Sequence, residues 1–237
     1  MTFQERLANL WELFGLRNAM YHRGDSLDKL LLVGITHFGR LLRKGEKNPA
    51  MLGKALASLF SRASTWANTF KELPIVEALC EKYPIGKCAY CGQTQCTCPL
   101  DNRPAITHAT IVAEEQRAWS VNEWMRHLDK VYGDTNRQRG LQLAYLRLFE
   151  EIGEIGLVQL LDVHNSELSL DDVRRNMARE FADVFAWILS ISAMIEIDLD
   201  KVLDEQYPHL HRRCGQRPCT CGSFHQYPRN ATGTRVE

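Results

Sequence analysis

An all-α fold written twice along one chain is what the sequence predicts, from three observations. Apolar residues recur at helical spacing through most of the 237 residues, and no alternating apolar-polar run is long enough for a strand. The phrase CGQTQCTC at 91–98 returns as CGQRPCTC at 214–221. Each copy follows a Tyr-Pro pair, at 83–84 and 207–208, and before it two helical stretches separated by a polar turn. The expected architecture is a tandem pseudo-repeat of helix-pair units forming a four-helix-bundle-type core, with two small zinc-binding loops.

The elements follow in order. Residues 1–23 read as a leading helix. SLDKLLLVGITHFGRLL (26–42) and MLGKALASLFSRASTWANTF (51–70) form the first pair, split by RKGEKNPA, a turn rich in charge, Gly and Pro. The first unit, 1–98, ends in its cysteine knot, and PLDNRPAITHAT, with two prolines and no helical period, lies in a linker over 99–111. A helix at 114–133 opens the second unit, 112–237. Its pair is GLQLAYLRLFEEIGEIGLVQLL (140–161) and LSLDDVRRNMAREFADVFAWILSISAMI (168–195), joined by DVHNSE. Ser169, with Asp172 three residues on, is placed to cap the latter helix. Val173, Met177, Phe181, Val184, Phe185, Ile188, Ile191 and Ile195 form its apolar stripe. The helix at 140–161 is apolar nearly all round, so it is expected to be central and buried. ASLFSRASTW (57–66) aligns with AREFADVFAW (178–187), sharing a Phe and a Trp. The two units are expected to pack as an intrachain pseudo-dimer, with a homo-oligomer beyond it left open.

Composition narrows the function classes. Lys plus Arg equals Asp plus Glu at 29 each, so there is no overall basic field to draw the chain onto nucleic acid or anionic lipid. The longest apolar stretch, VFAWILSISAMI (184–195), is too short to span a bilayer, and the amino terminus carries acids and no cleavable apolar segment. A cytoplasmic protein without membrane association is expected, and there the 8 cysteines stay reduced.

Reduced cysteines at metal-ligand spacing point to zinc. Cys88, Cys91, Cys96 and Cys98 offer four soft ligands within eleven residues, and Gly92 lets the backbone fold around an ion. Shifted by 123 residues, the pattern falls on His211, Cys214, Cys219 and Cys221. Both are closed four-ligand shells, which implies structural rather than catalytic metal. The competing reading is a pair of redox-sensing or fortuitous thiol clusters. Cys80 stands outside the pattern and reads as a small buried residue.

A second group of ligands lies where a core is expected. Glu151 and Glu154 are three residues apart on one helix, as are Glu180 and Asp183 on the next. Each pair shares a face, and antiparallel packing brings the four acids to one level, about 15 Å from the connecting loop. Buried carboxylates need a cation, and four hard oxygen donors suit Mg2+ or Mn2+, which recruits phosphate and water as further ligands. The competing reading pairs these acids with Arg147, Arg174, Arg175 and Arg179 along the helix faces.

EEIGE (150–154), followed by EFAD (180–183), resembles the EExxE…ExxD signature of the MazG-like all-α nucleoside triphosphate pyrophosphohydrolases, relatives of the dimeric dUTPases, over about 120–213. The resemblance implies a nucleotide substrate, NTP or dNTP, hydrolysed to the monophosphate and pyrophosphate. It implies Glu151, Glu154, Glu180 and Asp183 as metal ligands and Glu150 as a carboxylate that supports them or activates water. Lys201, Arg212 and Arg213 are the candidates for the phosphates. Trp187, one turn after Asp183, is placed either to stack on a base or to join the core as Trp66 does. The first unit has lost the signature: Leu59 and Arg62 stand where Glu180 and Asp183 stand, and VGITH (33–37), with His37, where EExxE would be. A different class of function remains, a non-catalytic zinc-stapled module that binds nucleotide or nucleic acid through the linker and the HRRCGQRPCTCGSFHQYPR segment.

Overall fold

A computed structural model describes residues 1–21, 39, 49–68, 70, 73–99, 114–164, 169–211 and 214–218. The regular structure among them is all helical: α1 (Phe3–Tyr21), α2 (Pro49–Asn68), α3 (Ile75–Lys82), α4 (Glu114–Arg117), α5 (Val121–Arg139), α6 (Leu141–His164), α7 (Leu170–Met194) and α8 (Leu199–Gln206). The expected helix at 26–42, His37 and the linker from 100 onward lie outside the described residues. None of the described helices is long and apolar enough to cross a membrane.

Local chemistry sets the boundaries. The stretch expected as one helix over 114–133 is broken at Ser120, whose hydroxyl accepts from the Glu123 N–H at 3.3 Å while the Glu123 carboxylate accepts from the Ser120 N–H at 2.7 Å. This capping box restarts the helix, which runs on to Arg139 and stops at Gly140, with φ of 88°. Ser169 caps α7 by accepting from the Asp172 N–H at 3.1 Å. Two short helices, α3 and α8, stand directly before the two Tyr-Pro pairs. They end alike, at Tyr83 (φ −128°, ψ 68°) and Tyr207 (φ −125°, ψ 64°), each tyrosine N–H returning to the carbonyl four residues back.

The central helix is α7, not α6. It packs against α2, α3, α5 and α6, and of its anticipated stripe only Ile195, at the helix end, escapes full burial. Ala178, Ala182 and Ala186, four apart and buried, allow neighbouring backbones to come close. Phe185 meets Phe3 at 5.4 Å and Phe60 at 4.8 Å between ring centroids, and Phe181 meets Trp66 at 5.3 Å. These contacts join the amino-terminal helices to the carboxy-terminal core. By contrast, among its described side chains α6 buries Ala144, Leu148, Ile152 and Ile155 along one face, while Leu146 and Leu157 are 65% and 54% exposed. The expectation of a fully buried α6 is therefore corrected: its apolar residues exceed what one packed face uses.

The two halves exchange their short helices. α3, from the first half, packs on α7, and α8, from the second, packs on α2. Arg6 of α1, 2% exposed, pins α8 by donating to Asp200 at 2.5 Å and Asp204 at 2.6 Å. A guanidinium that deep must be paired, so the contact fixes α8 on the first half.

Candidate functional site

Glu151 from α6 and Glu180 and Asp183 from α7 each present a ligand oxygen, and these atoms lie within 4.8 Å of one another. The antiparallel register expected from the three-residue spacing accounts for this. Burial first, then the charges of Asp183 and Glu154, push the Glu151 carboxyl up to about 8, against the opposing pull of Lys82 and a hydrogen bond from Trp187. Burial likewise lifts Glu180 to about 7; Lys82 opposes it, while a hydrogen bond with Glu154 and the Asp183 charge add to it. Fully ionised, the cluster would carry more negative charge than Lys82 offsets, so a bound cation would favour the ionised carboxylates that burial disfavours.

Glu154 lines the same cavity from a more exposed position. Glu150 does not join: it turns outward and pairs with Arg147 at 2.6 Å. Adjacent helical residues diverge by about 100°, so Glu150 cannot share the face of Glu151 and Glu154. Of the arginines in the alternative pairing, Arg147 meets Glu150, Arg175 meets Asp172 and Arg179 meets Glu81.

The first half supplies two further groups. Lys82, the last residue of α3, forms an ion pair with Asp183 in which both side chains are 13% exposed, and also donates to the Arg179 carbonyl at 3.3 Å. Tyr83 donates its hydroxyl to the other Asp183 oxygen at 2.7 Å. Burial, then the Asp183 charge, holds the Tyr83 phenol well above its usual range, so it remains a donor. Sequence reasoning missed both residues. Lys201 is exposed on α8, which packs on α2, and does not line the cavity; Arg212 and Arg213 lie outside the described residues.

A cavity of about 210 Å3 opens beside the acids. α5 lines it with Leu128, Tyr132, Thr135, Asn136 and Arg139, residues that share one helix face. Trp187 lines it as well, and its indole N–H donates to Glu151 Oε1 at 3.4 Å. Trp66, its counterpart, is buried in the core against Phe181.

The first cysteine set closes on itself as its spacing requires. Cys88, Cys91, Cys96 and Cys98 bring their sulfur atoms within 4.8 Å of one another, with Cys88 3.5 Å from Cys96 and 3.8 Å from Cys98. Four thiolates about 2.3 Å from a tetrahedral zinc ion stand about 3.8 Å apart, so the set is compatible with zinc. Burial opposes ionisation at Cys91, but hydrogen bonds from the backbone at Thr97 and Gln93 and from Cys88 and Cys98 bring its thiol down to about 6, toward the form that binds metal. Burial raises Cys98 and Cys96. Cys80 is buried, which lifts its thiol to about 11.

At the second copy, Cys214 Sγ lies 3.4 Å from His211 Nδ1, and Cys219 and Cys221 fall outside the described residues. Its backbone repeats the first. Cys88 N–H bonds to the Gln93 carbonyl at 2.8 Å and Gly92 N–H to the Cys88 carbonyl at 2.9 Å; His211 N–H bonds to Gln216 at 3.2 Å and Gly215 N–H to His211 at 2.7 Å. Gly92 and Gly215 take positive φ, 71° and 64°.

No family model, curated protein or solved structure matches the chain.

Proposed function

We propose that the chain is a Mg2+-dependent nucleoside triphosphate pyrophosphohydrolase, converting NTP or dNTP to the monophosphate and pyrophosphate. The observation that carries this reading is the convergence of Glu151, Glu180 and Asp183 beside a cavity that also holds Glu154, the basic side chains of Lys82 and Arg139, and Trp187. Hard carboxylate oxygens with surplus negative charge fit Mg2+ or Mn2+; Glu151, Glu180 and Asp183 would hold it, with Glu154 beside them. Bound there, the ion polarises phosphate oxygens and neutralises the leaving pyrophosphate.

The chain's own groups divide the remaining work. Lys82, which lines the cavity beside Asp183, would hold a phosphate oxygen. Tyr83 keeps Asp183 oriented. Glu154 replaces Glu150 as the carboxylate that orients water and accepts its proton while the water oxygen attacks the α-phosphorus and the bond to the β-phosphate oxygen breaks, the electron pair leaving with pyrophosphate. Trp187, fixed by Glu151, offers an aromatic surface to the base.

In this reading the chain is an internal duplication whose two units interleave. The matching helix ends at Tyr83 and Tyr207, the paired backbone bonds of the two knots and the reciprocal packing of α3 and α8 support it. The second knot would then bind zinc through His211, Cys214, Cys219 and Cys221 as the first does through its cysteines.

The test is pyrophosphate release from a panel of ribo- and deoxyribonucleoside triphosphates. Release with Mg2+ and none with EDTA is expected. No release from any of them, with folded protein and the metal present, would favour a non-catalytic zinc-stapled module.

A further inference from the structure

The cysteine set next to the cavity does more than close a loop. Tyr90 and Cys96 line the same cavity as Glu151 and Asp183. The loop is seated along α5 by the Cys96 N–H to the Val131 carbonyl at 2.7 Å, by the Thr135 hydroxyl to the Cys96 carbonyl, and by Arg139 to the Cys98 carbonyl at 2.6 Å. Thr135 and Arg139, which hold the loop, are themselves cavity-lining residues. On the other side Tyr132 lies against Cys88 and meets the ring of Tyr83 at 5.9 Å, and Tyr83 holds Asp183. One continuous set of contacts runs from the thiols to the acid cluster.

The loop itself is almost without regular structure. Residues 87–98 contain no helix or strand, and the backbone bonds closing the loop on itself are the two made by Cys88 and Gly92. Such a segment becomes a rigid wall when four sulfurs are tied to one ion, and without the ion its thiols have no common partner. A triphosphate seated on the acids leaves its nucleoside the remaining walls, which are α5, this loop and the Trp187 side of α7.

We propose that the first cysteine knot is a wall of the nucleotide pocket, so that nucleotide affinity depends on the metal it holds, whereas the second knot serves the fold alone. This rests on the nucleotide reading of the acid cluster. The second knot makes the contrast: none of its described residues lines the cavity, and its Arg217 pairs with Glu12 of α1.

The experiment compares full-length wild type, Cys91→Ser and Cys214→Ser below the lowest melting temperature of the three. Zinc content is measured, Mn2+ is titrated without nucleotide, and a non-hydrolysable triphosphate analogue of each base is titrated with Mg2+. Cys91→Ser is expected to lose one zinc and weaken the analogue Kd by about tenfold, within the usual range of coupling between sites, with Mn2+ affinity within about twofold. Cys214→Ser is expected to keep the analogue Kd within about twofold of wild type. If Cys91→Ser does not fold, Tyr90→Ala takes its place, expected to weaken the analogue severalfold with zinc unchanged. Equal losses in both cysteine variants, or no loss with Cys91→Ser or Tyr90→Ala, overturn the proposal. Analogue binding without turnover by wild type overturns only the hydrolytic reading; no binding of any analogue overturns both.

Discussion

Two places in the molecule share a plan and differ in charge. At the first, Lys82 and Tyr83 end a short helix of the first half and meet Asp183 of the second. At the other, Gln206 and Tyr207 end a short helix of the second half, and Tyr207 lies against Ser58, Ser61 and Arg62 of the first. Where one locus sets a lysine against an aspartate, the other sets a glutamine in the place of the lysine and an arginine in the place of the aspartate. An ammonium set against Arg62 as Lys82 is set against Asp183 would be repelled, so a neutral glutamine at 206 suits an arginine at 62. The buried Arg62 Nε and Gln206 Nε2 have no hydrogen-bond partner among the described residues. The comparison teaches that two places with matching helix ends can carry opposite charge, acidic at Asp183 and basic at Arg62.

The largest expected effect separates the loci by their carboxylates. Asp183→Asn or Glu180→Gln is expected to lower pyrophosphate release at least about a thousandfold, because a neutral amide cannot balance Mg2+. Arg62→Met at the matching position is expected to stay within about threefold per folded molecule. A comparable loss at Arg62 would mean that the second locus also works.

Next in size is the lysine. Lys82→Gln makes the first locus resemble the second and is expected to cost about a hundredfold in kcat/KM, while Mn2+ binding without nucleotide tightens, because the competing ammonium on Asp183 is gone. Gln206→Met is expected to leave both within about twofold. Unchanged Mn2+ affinity in Lys82→Gln would show that Lys82 does not compete for the carboxylate.

What the sequence made legible here was what is local. The cysteine spacing and the two i, i+3 acid pairs are short-range patterns whose geometry a loop or a helix imposes; the four cysteines converge, as do Glu151, Glu180 and Asp183, while Glu154 stands at the cavity beside them. Lys82 and Tyr83 reach Asp183 across 101 and 100 residues, and no local pattern says which helix end faces which acid. α3 and α8 have 8 residues each, about two turns, too little for a period to show against neighbouring apolar residues. Helix centrality was misjudged because richness in leucine was read as burial. The small residues of α7 let several helices meet there, while Leu146 and Leu157 of α6 stay exposed. Glu150 enters only through the EExxE resemblance, and a helix sends it to a different face from Glu151 and Glu154.

A smaller effect is expected in stability, with its sign set by Glu151. Its carboxyl is raised from the usual 4.5 to about 8 in the folded chain, so ionisation opposes folding, and metal-free wild type loses stability as pH rises from about 4.5 toward 8. Glu151→Gln has no such charge to bury. Its melting temperature without metal is expected to match wild type near pH 4.5 and exceed it by at least about 3 °C at pH 8.5, and Mg2+ is expected to erase the difference by stabilising wild type alone. Arg62→Met, which keeps Glu151 and its neighbours, is expected to gain the same stabilisation from Mg2+ as wild type.

The smallest effect compares the two tyrosines. Tyr83→Phe removes the hydroxyl that donates to Asp183 at 2.7 Å, leaving the carboxylate with Lys82 and the metal to orient it. A loss of about threefold to tenfold in kcat/KM is expected: a hydrogen bond to a carboxylate is worth about 1.5–3 kcal/mol, and the other groups that orient Asp183 make up part of it. Tyr207→Phe removes contacts with Ser58 and Ser61 and is expected to lower the melting temperature by about 2–4 °C with turnover per folded molecule unchanged. A double-mutant cycle makes the distinction firm. Tyr83 and Lys82 act on the same carboxylate, so Tyr83→Phe combined with Lys82→Gln is expected to depart from additivity, whereas Tyr207→Phe with Lys82→Gln, which share no partner, is expected to be additive within about 0.5 kcal/mol. Additivity in the first cycle would show that Tyr83 does not work through Asp183, and coupling in the second would show that the two loci still communicate through the interleaved helices.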